Sequence, residues 1–132
     1  MKKSQTWRKI LTEKEKNEYQ ELYNELCSQY GLHTELIGNQ QRAWYQEYDY
    51  VMNFCVRDTS LDHHYDISFE IPTKVLLNEY MDVPRFFDYL DITRKNWKLK
   101  KKRTEKIIDE VFGKYKLLLA EAKLKDIKKD FV

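Results

Sequence analysis

The chain has 132 residues, of which 42% are hydrophobic and 35% charged, with 3 Gly, 2 Pro and a formal net charge of +2. That is the length of a single domain (1–132) with enough apolar material for a core, and too little Gly and Pro for a long flexible linker. The longest apolar block, LLLA at 117–120, is far too short to cross a bilayer, and MKKSQTWRKIL carries the charges of a leader without an apolar run behind them. The expectation is a soluble protein of the bacterial cytoplasm, with no membrane partner. Cys27 and Cys55 each stand without a second Cys nearby. A zinc ribbon or C-x-x-C redox pair is therefore excluded, and buried free thiols are favoured over a single disulfide.

Residues 1–11 are expected to be a loosely held basic arm, anchored through Trp7, Ile10 and Leu11. Thr12 and Glu15 have capping-box spacing and open a helix. Tyr19, Leu22, Tyr23, Leu26, Cys27 and Tyr30 form one apolar stripe on it, and Gly31 stands where a left-handed C-cap belongs. LHTELIG reads as a short first strand and GNQQ as a turn. RAWYQEYDY then leads into a hairpin from Tyr50 to Ile71, the centre of the fold. In its second arm Tyr65, Ile67, Phe69 and Ile71 alternate with His64, Asp66, Ser68 and Glu70, the mark of a strand buried on one side. The first arm is more apolar. It sets Tyr50, Met52, Phe54 and Val56 on one side and Val51 and Cys55 on the other, so partial cover on both faces is expected.

Pro72 is read as the end of that arm. Thr73 would cap a short helix through Met81, and a second short helix would start at Asp82 and Pro84 and bury Phe86, Phe87 and Leu90. TRKNWKLKKKR fits either an edge strand guarded by Lys or the start of a long helix. From Thr104 onward Ile108, Val111, Phe112, Tyr115, Leu118, Leu119 and Ala122 form a helical stripe, with Gly113 inside it to permit close packing. The expected class is α+β: a small antiparallel sheet of two or three strands packed by an N-terminal amphipathic helix, two short helices and a long C-terminal helix.

Charge is unevenly spread. Residues 31–93 carry 4 Lys/Arg against 11 Asp/Glu, and residues 94–132 carry 14 against 6. Such asymmetry speaks about partners. Arg94, Lys95, Trp97, Lys98, Lys100, Lys101, Lys102, Arg103 and Lys106 place eight cations and a ring in thirteen residues. A nucleic-acid backbone would select that set through counterion release and stacking, and RNA or DNA contact through 94–106 is weighed against an ordinary solvated face. The acidic section has two sharper readings. Its carboxylates, Glu47, Asp49, Asp58, Asp62, Asp66, Glu70, Glu79, Asp82, Asp88 and Asp91, would imitate phosphates; or Trp44, Tyr45 and Tyr48, with Asp58, Asp62, Asp66 and Glu70, would form a protein-binding patch. Ordinary solubility and ordinary core packing are the plainer accounts of the same residues.

Cys55, Asp62, His63 and His64 include metal-ligand types, but adjacent His residues on a strand point to opposite faces, and no metal or cofactor is expected. A small RNA-cleaving toxin would use His, Tyr, Lys and Arg, all present here without a defining spacing. No G-x-S-x-G, Walker A, G-x-G-x-x-G, H-E-x-x-H or EF-hand string occurs. The sequence therefore reads as non-enzymatic.

A short, Lys/Glu/Tyr-rich single domain with separated acidic and basic regions and no catalytic string resembles small proteins of phages and mobile elements, notably the anti-CRISPR inhibitors. The resemblance is one of general character and carries over no residue. It implies an inhibitor that binds a host defence protein, such as a CRISPR effector nuclease, and blocks it by occupancy. The alternatives are a nucleic-acid-binding accessory protein using 94–106 and the small toxin.

Overall fold

The computed structural model describes residues 10–46, 49–93 and 97–130, the side chains of 97–100 and 128–130 excepted. The described elements are β1 (Ile10–Thr12), α1 (Glu13–Gln29), β2 (His33–Ile37), β3 (Gln40–Tyr45), β4 (Asp49–Asp58), β5 (His64–Leu76), β6 (Arg85–Asp91) and α2 (Trp97–Asp130). The strands make one antiparallel sheet in the order β1-β5-β4-β3-β2, and β6 also pairs with β5. β5 is long enough to hold two partners on one edge: β1 meets residues 64–66 and β6 meets residues 70–76.

The helix starts as its sequence demands. Thr12 Oγ1 accepts the Glu15 N–H at 3.3 Å, and Glu15 Oε1 accepts the Thr12 N–H at 3.1 Å, so both members of the capping box are made. At the other end Leu32 N–H donates to Cys27 O and Gly31 N–H to Ser28 O, with Gly31 at φ +63°. This is a Schellman stop, which needs a left-handed residue at that point. Ile10 and Leu11, expected in a loose arm, instead form β1, and Leu11 is buried. Trp7 lies outside the described residues.

Both helices lie on one face of the sheet. Tyr23 of α1 stacks on Phe54 and meets Phe69 edge-on. Phe112 and Tyr115 of α2 pack against Tyr45 and Phe86, and Phe112 also stacks on Tyr30. Together with Ile67, Ile71, Val75 and Ile108 these side chains make one continuous core. An antiparallel sheet covered on one face and wet on the other is a standard solution for a chain of this length.

The expected sheet of two or three strands and the two short helices are overturned: six strands are present, and the described helices are α1 and α2 alone. Residues from Thr73 to Leu76 continue β5, and Arg85–Asp91 is a strand. β4 pairing ends at Asn53↔Glu70, two residues before Pro72, and β6 takes over along the opposite edge of β5. Pro72 lacks the N–H that a further β4 pair would use, so it redirects pairing without ending the strand. Val75 and Phe86 face the core as a cross-strand pair, and the ladder outweighs a local helical reading of a segment rich in β-branched and aromatic residues. Gly113, expected to permit close packing, is exposed, with nothing near the position of an added Cβ.

Candidate binding surface

The face of the sheet away from the helices is built by register. β3 and β4 pair Ala43 with Met52 but Trp44 with Tyr50, so Val51 is an extra residue. This β-bulge reverses the alternation. Met52 and Phe54 face the helices, whereas Tyr50 turns to the open face. There it meets Trp44 with ring centroids 5.8 Å apart and Tyr89 at 5.5 Å. The strict two-residue pattern, which put Tyr50 with Met52, Phe54 and Val56, fails at that bulge. Tyr89 O–H donates to Tyr50 O at 3.1 Å, which ties β6 to β4 across the top of β5.

Beside the rings runs a row set by the pairs Glu35↔Arg42, Arg42↔Asn53, Asn53↔Glu70 and Glu70↔Asp91. Arg42 and Glu70 therefore flank Asn53 at the middle of the face. Asn53 is 7% exposed, and its Oδ1 has no hydrogen-bond partner among the described residues; neither has the buried Trp44 Nε1. Unpartnered buried polar atoms are uncommon in native structures, because each forfeits its hydration without return. Burial, together with the charge of Glu70, pushes the Tyr50 hydroxyl up to about 12, while Arg42 acts in the other direction. Burial and the nearby Asp49 also raise Tyr89.

The residues chosen from sequence separate on this surface. Trp44, Asp66 and Glu70 lie on the open face, and Asp58 and Asp62 stand exposed at the tip of the β4–β5 hairpin. Tyr45 does not belong with them: it faces the helices, against Phe112 and Tyr115. Tyr48 and Glu47 lie outside the described residues. Arg42, Tyr50, Asn53 and Tyr89 were missed as a group, since only the strand register brings them together.

Three of the ten carboxylates read as phosphate imitations, Asp49, Asp88 and Asp91, are engaged within the fold. Asp49 is 6% exposed and accepts the backbone N–H groups of Phe86 at 2.6 Å and Tyr50 at 2.9 Å, with Arg85 at 3.5 Å. Burial raises its carboxyl above the usual carboxylate range despite those partners. Asp91 accepts from Phe69 N–H, Thr93 N–H and the hydroxyls of Thr93 and Ser68, and Asp88 pairs with Lys74 at 3.2 Å. Arg57 stands opposite Asp66 in the ladder. The cations of the acidic section are thus interleaved with its carboxylates, and the open face carries mixed charge.

The basic segment opens α2. Arg94 and Lys95 lie outside the described residues, and of Trp97, Lys98 and Lys100 only the helical backbone is described. Lys101 reaches Glu25 of α1 at 3.8 Å, while Lys102, Arg103 and Lys106 are exposed. No acidic residue occupies the first turn, and Lys102, Arg103 and Lys106 lie beyond it along the helix.

No set of three His, Cys, Asp or Glu side chains among the described residues is placed to hold a metal ion. Cys55 pairs in register with Gln40 and Ser68, away from the hairpin tip; His64 Nδ1 lies 2.7 Å from Asp62 O, and His63 Nδ1 lies 3.5 Å from Glu13. Cys27 and Cys55 are buried free thiols. A shallow groove between the 77–82 loop and α2 is lined by Glu79, Asp82, Lys125 and Asp126 among others, with no nucleophile beside a base. No described helix is long and apolar enough to cross a membrane. No family model matches the chain, and neither a curated protein nor a solved structure does.

Proposed function

We propose that the chain is a non-enzymatic inhibitor that docks on a partner protein through the open face of its sheet. The observation that carries this reading is the cluster of Trp44, Tyr50 and Tyr89 beside Arg42, Asn53 and Glu70, with two buried polar atoms left unpartnered. Aromatic rings and Arg supply most binding energy at protein interfaces. Mixed charge around them selects orientation. On the resemblance to anti-CRISPR inhibitors, the partner is an RNA-guided nuclease of a bacterial host, blocked by occupancy.

The test is inhibition of target cleavage by purified guide-loaded nucleases. Inhibition that saturates at a fixed molar ratio, and is lost with Arg42→Glu or Glu70→Arg while the fold persists, supports the reading. Turnover of any substrate by the chain alone would overturn it, as would retention of inhibition in both variants.

A second reading is contact with RNA or DNA through the N-terminal part of α2, favoured by the exposed Lys102, Arg103 and Lys106. Affinity for a labelled oligonucleotide should then fall steeply with salt and be lost in a Lys102→Glu, Arg103→Glu, Lys106→Glu variant.

A further inference from the structure

α2 is amphipathic twice over. Ile108, Val111, Phe112, Tyr115, Leu119 and Ala122 face the core. On the opposite side Gly113, Leu117, Ala120, Leu124 and Ile127 are exposed; Leu117 is 64% exposed, Leu124 54% and Ile127 52%. Their separations are four, three, four and three residues, and by sequence the next member is Phe131, outside the described residues. Alternate steps of three and four are the spacing of a coiled-coil seam, with Leu117 and Leu124 at one core position and Gly113, Ala120 and Ile127 at the other. Gly113 and Ala120 would let a neighbouring backbone approach closely. No described residue covers the seam, and the core lies on the far side of the helix.

We infer that this seam pairs with the same seam of a second copy, the two helices running parallel and in register. The flanking charges select that arrangement. In a parallel pair a residue just before one core position meets the residue five further on in the other chain. Lys116 then faces Glu121 of the second copy, and Asp109, whose Oδ1 also accepts the Tyr30 O–H at 3.1 Å within its own chain, faces Lys114 of the second copy, each twice by symmetry. The third pair along the seam, Lys123 with position 128, is lysine with lysine. An antiparallel register with Leu117 on Ile127 sets Glu121 on Glu121 and Lys123 on Lys123. Like charges so placed oppose it. The two protein bodies would point away from each other, and the basic starts of the two α2 helices would lie side by side at one end. From Gly113 to Ile127 the seam is ~21 Å long at 1.5 Å per residue. A contact of that length falls at the low end of the size range of specific interfaces, so pairing depends on concentration.

The experiment is sedimentation of the purified chain over a wide concentration range. The mass should rise from one chain to two as concentration increases. Leu124→Glu should hold it at one chain with unchanged helical circular dichroism. Lys116→Glu should weaken pairing about tenfold, and adding Glu121→Lys in the same chain should restore it. A Leu117→Cys variant should form a 117–117 disulfide under mild oxidation, as parallel register requires. A single-chain mass at every concentration would overturn the inference, and so would pairing that survives Leu124→Glu. A wild-type chain that stays single yet binds anionic phospholipid vesicles through Leu117 and Leu124 would assign the seam to a lipid surface instead.

Discussion

Asp49 and Phe86 lie 37 residues apart, and the carboxylate of the first accepts the backbone N–H of the second at 2.6 Å in a buried setting. The contact joins the start of β4 to the start of β6, two strands that are not sheet neighbours. It also fixes Phe86 for its stack on Tyr115, 4.2 Å between centroids, and so brings α2 down on this end of the core.

Asp49→Ala should therefore lower stability by about 1–3 kcal/mol, because it strands a buried N–H. Asp49→Asn keeps an acceptor and removes a charge that burial disfavours, so it should cost less. Denaturant unfolding of the two variants checks the order. Equal losses would mean that the charge, rather than the acceptor, holds β6.

The same substitution should have opposite signs at two glycines. Gly31 holds φ +63° at the end of α1, where an added Cβ meets open space but the backbone disfavours an L residue. Gly31→Ala should cost about 1 kcal/mol. Gly113 is helical, exposed and equally unobstructed. Gly113→Ala should stabilise by about 0.5–1 kcal/mol through helix propensity and unfolded-chain entropy. Thermal midpoints of the two variants should move in opposite directions.

Alkali should weaken the fold through its tyrosines. Burial, with Glu70 beside Tyr50 and Asp109 beside Tyr30, raises both hydroxyls from 10.0 to about 12. A folded value above the unfolded one means that folding favours the neutral phenol. The contribution is whole below about pH 10 and is lost as the pH rises from about 10 to about 12. Unfolding monitored in that range should show tyrosinate absorbance rising together with loss of circular dichroism. Tyr50→Phe should lessen the pH dependence. A stability that stays flat to pH 12 would contradict it.

Thr12→Ala breaks the capping box at the junction of β1 and α1, where Thr12 also pairs in register with His64. A loss of about 1 kcal/mol is expected, and Thr12→Ser should recover most of it. Hydrogen exchange of the first-turn amides of α1 should rise in the Ala variant and not in the Ser variant.

The chain alone determined whatever depends on near neighbours. The Thr12–Glu15 box, the stop at Gly31, the stripe from Tyr19 to Cys27, the hairpin alternation from Tyr65 to Ile71 and the stripe from Ile108 to Ala122 are all local patterns, and each is present. Strand partners are chosen by distant segments, so Thr73–Leu76 and Arg85–Asp91 looked helical in isolation and became strands once a ladder and Asp49 were in reach. The open-face cluster depends on one inserted residue. Val51 bulges because β3 and β4 match on either side of it, and that match alone turns Tyr50 toward Trp44 and Tyr89. Exposure is likewise a property of the folded whole. The spacing of Leu117, Leu124 and Ile127 was written in the sequence throughout, but which stripe of α2 meets the sheet and which is left bare was settled by packing.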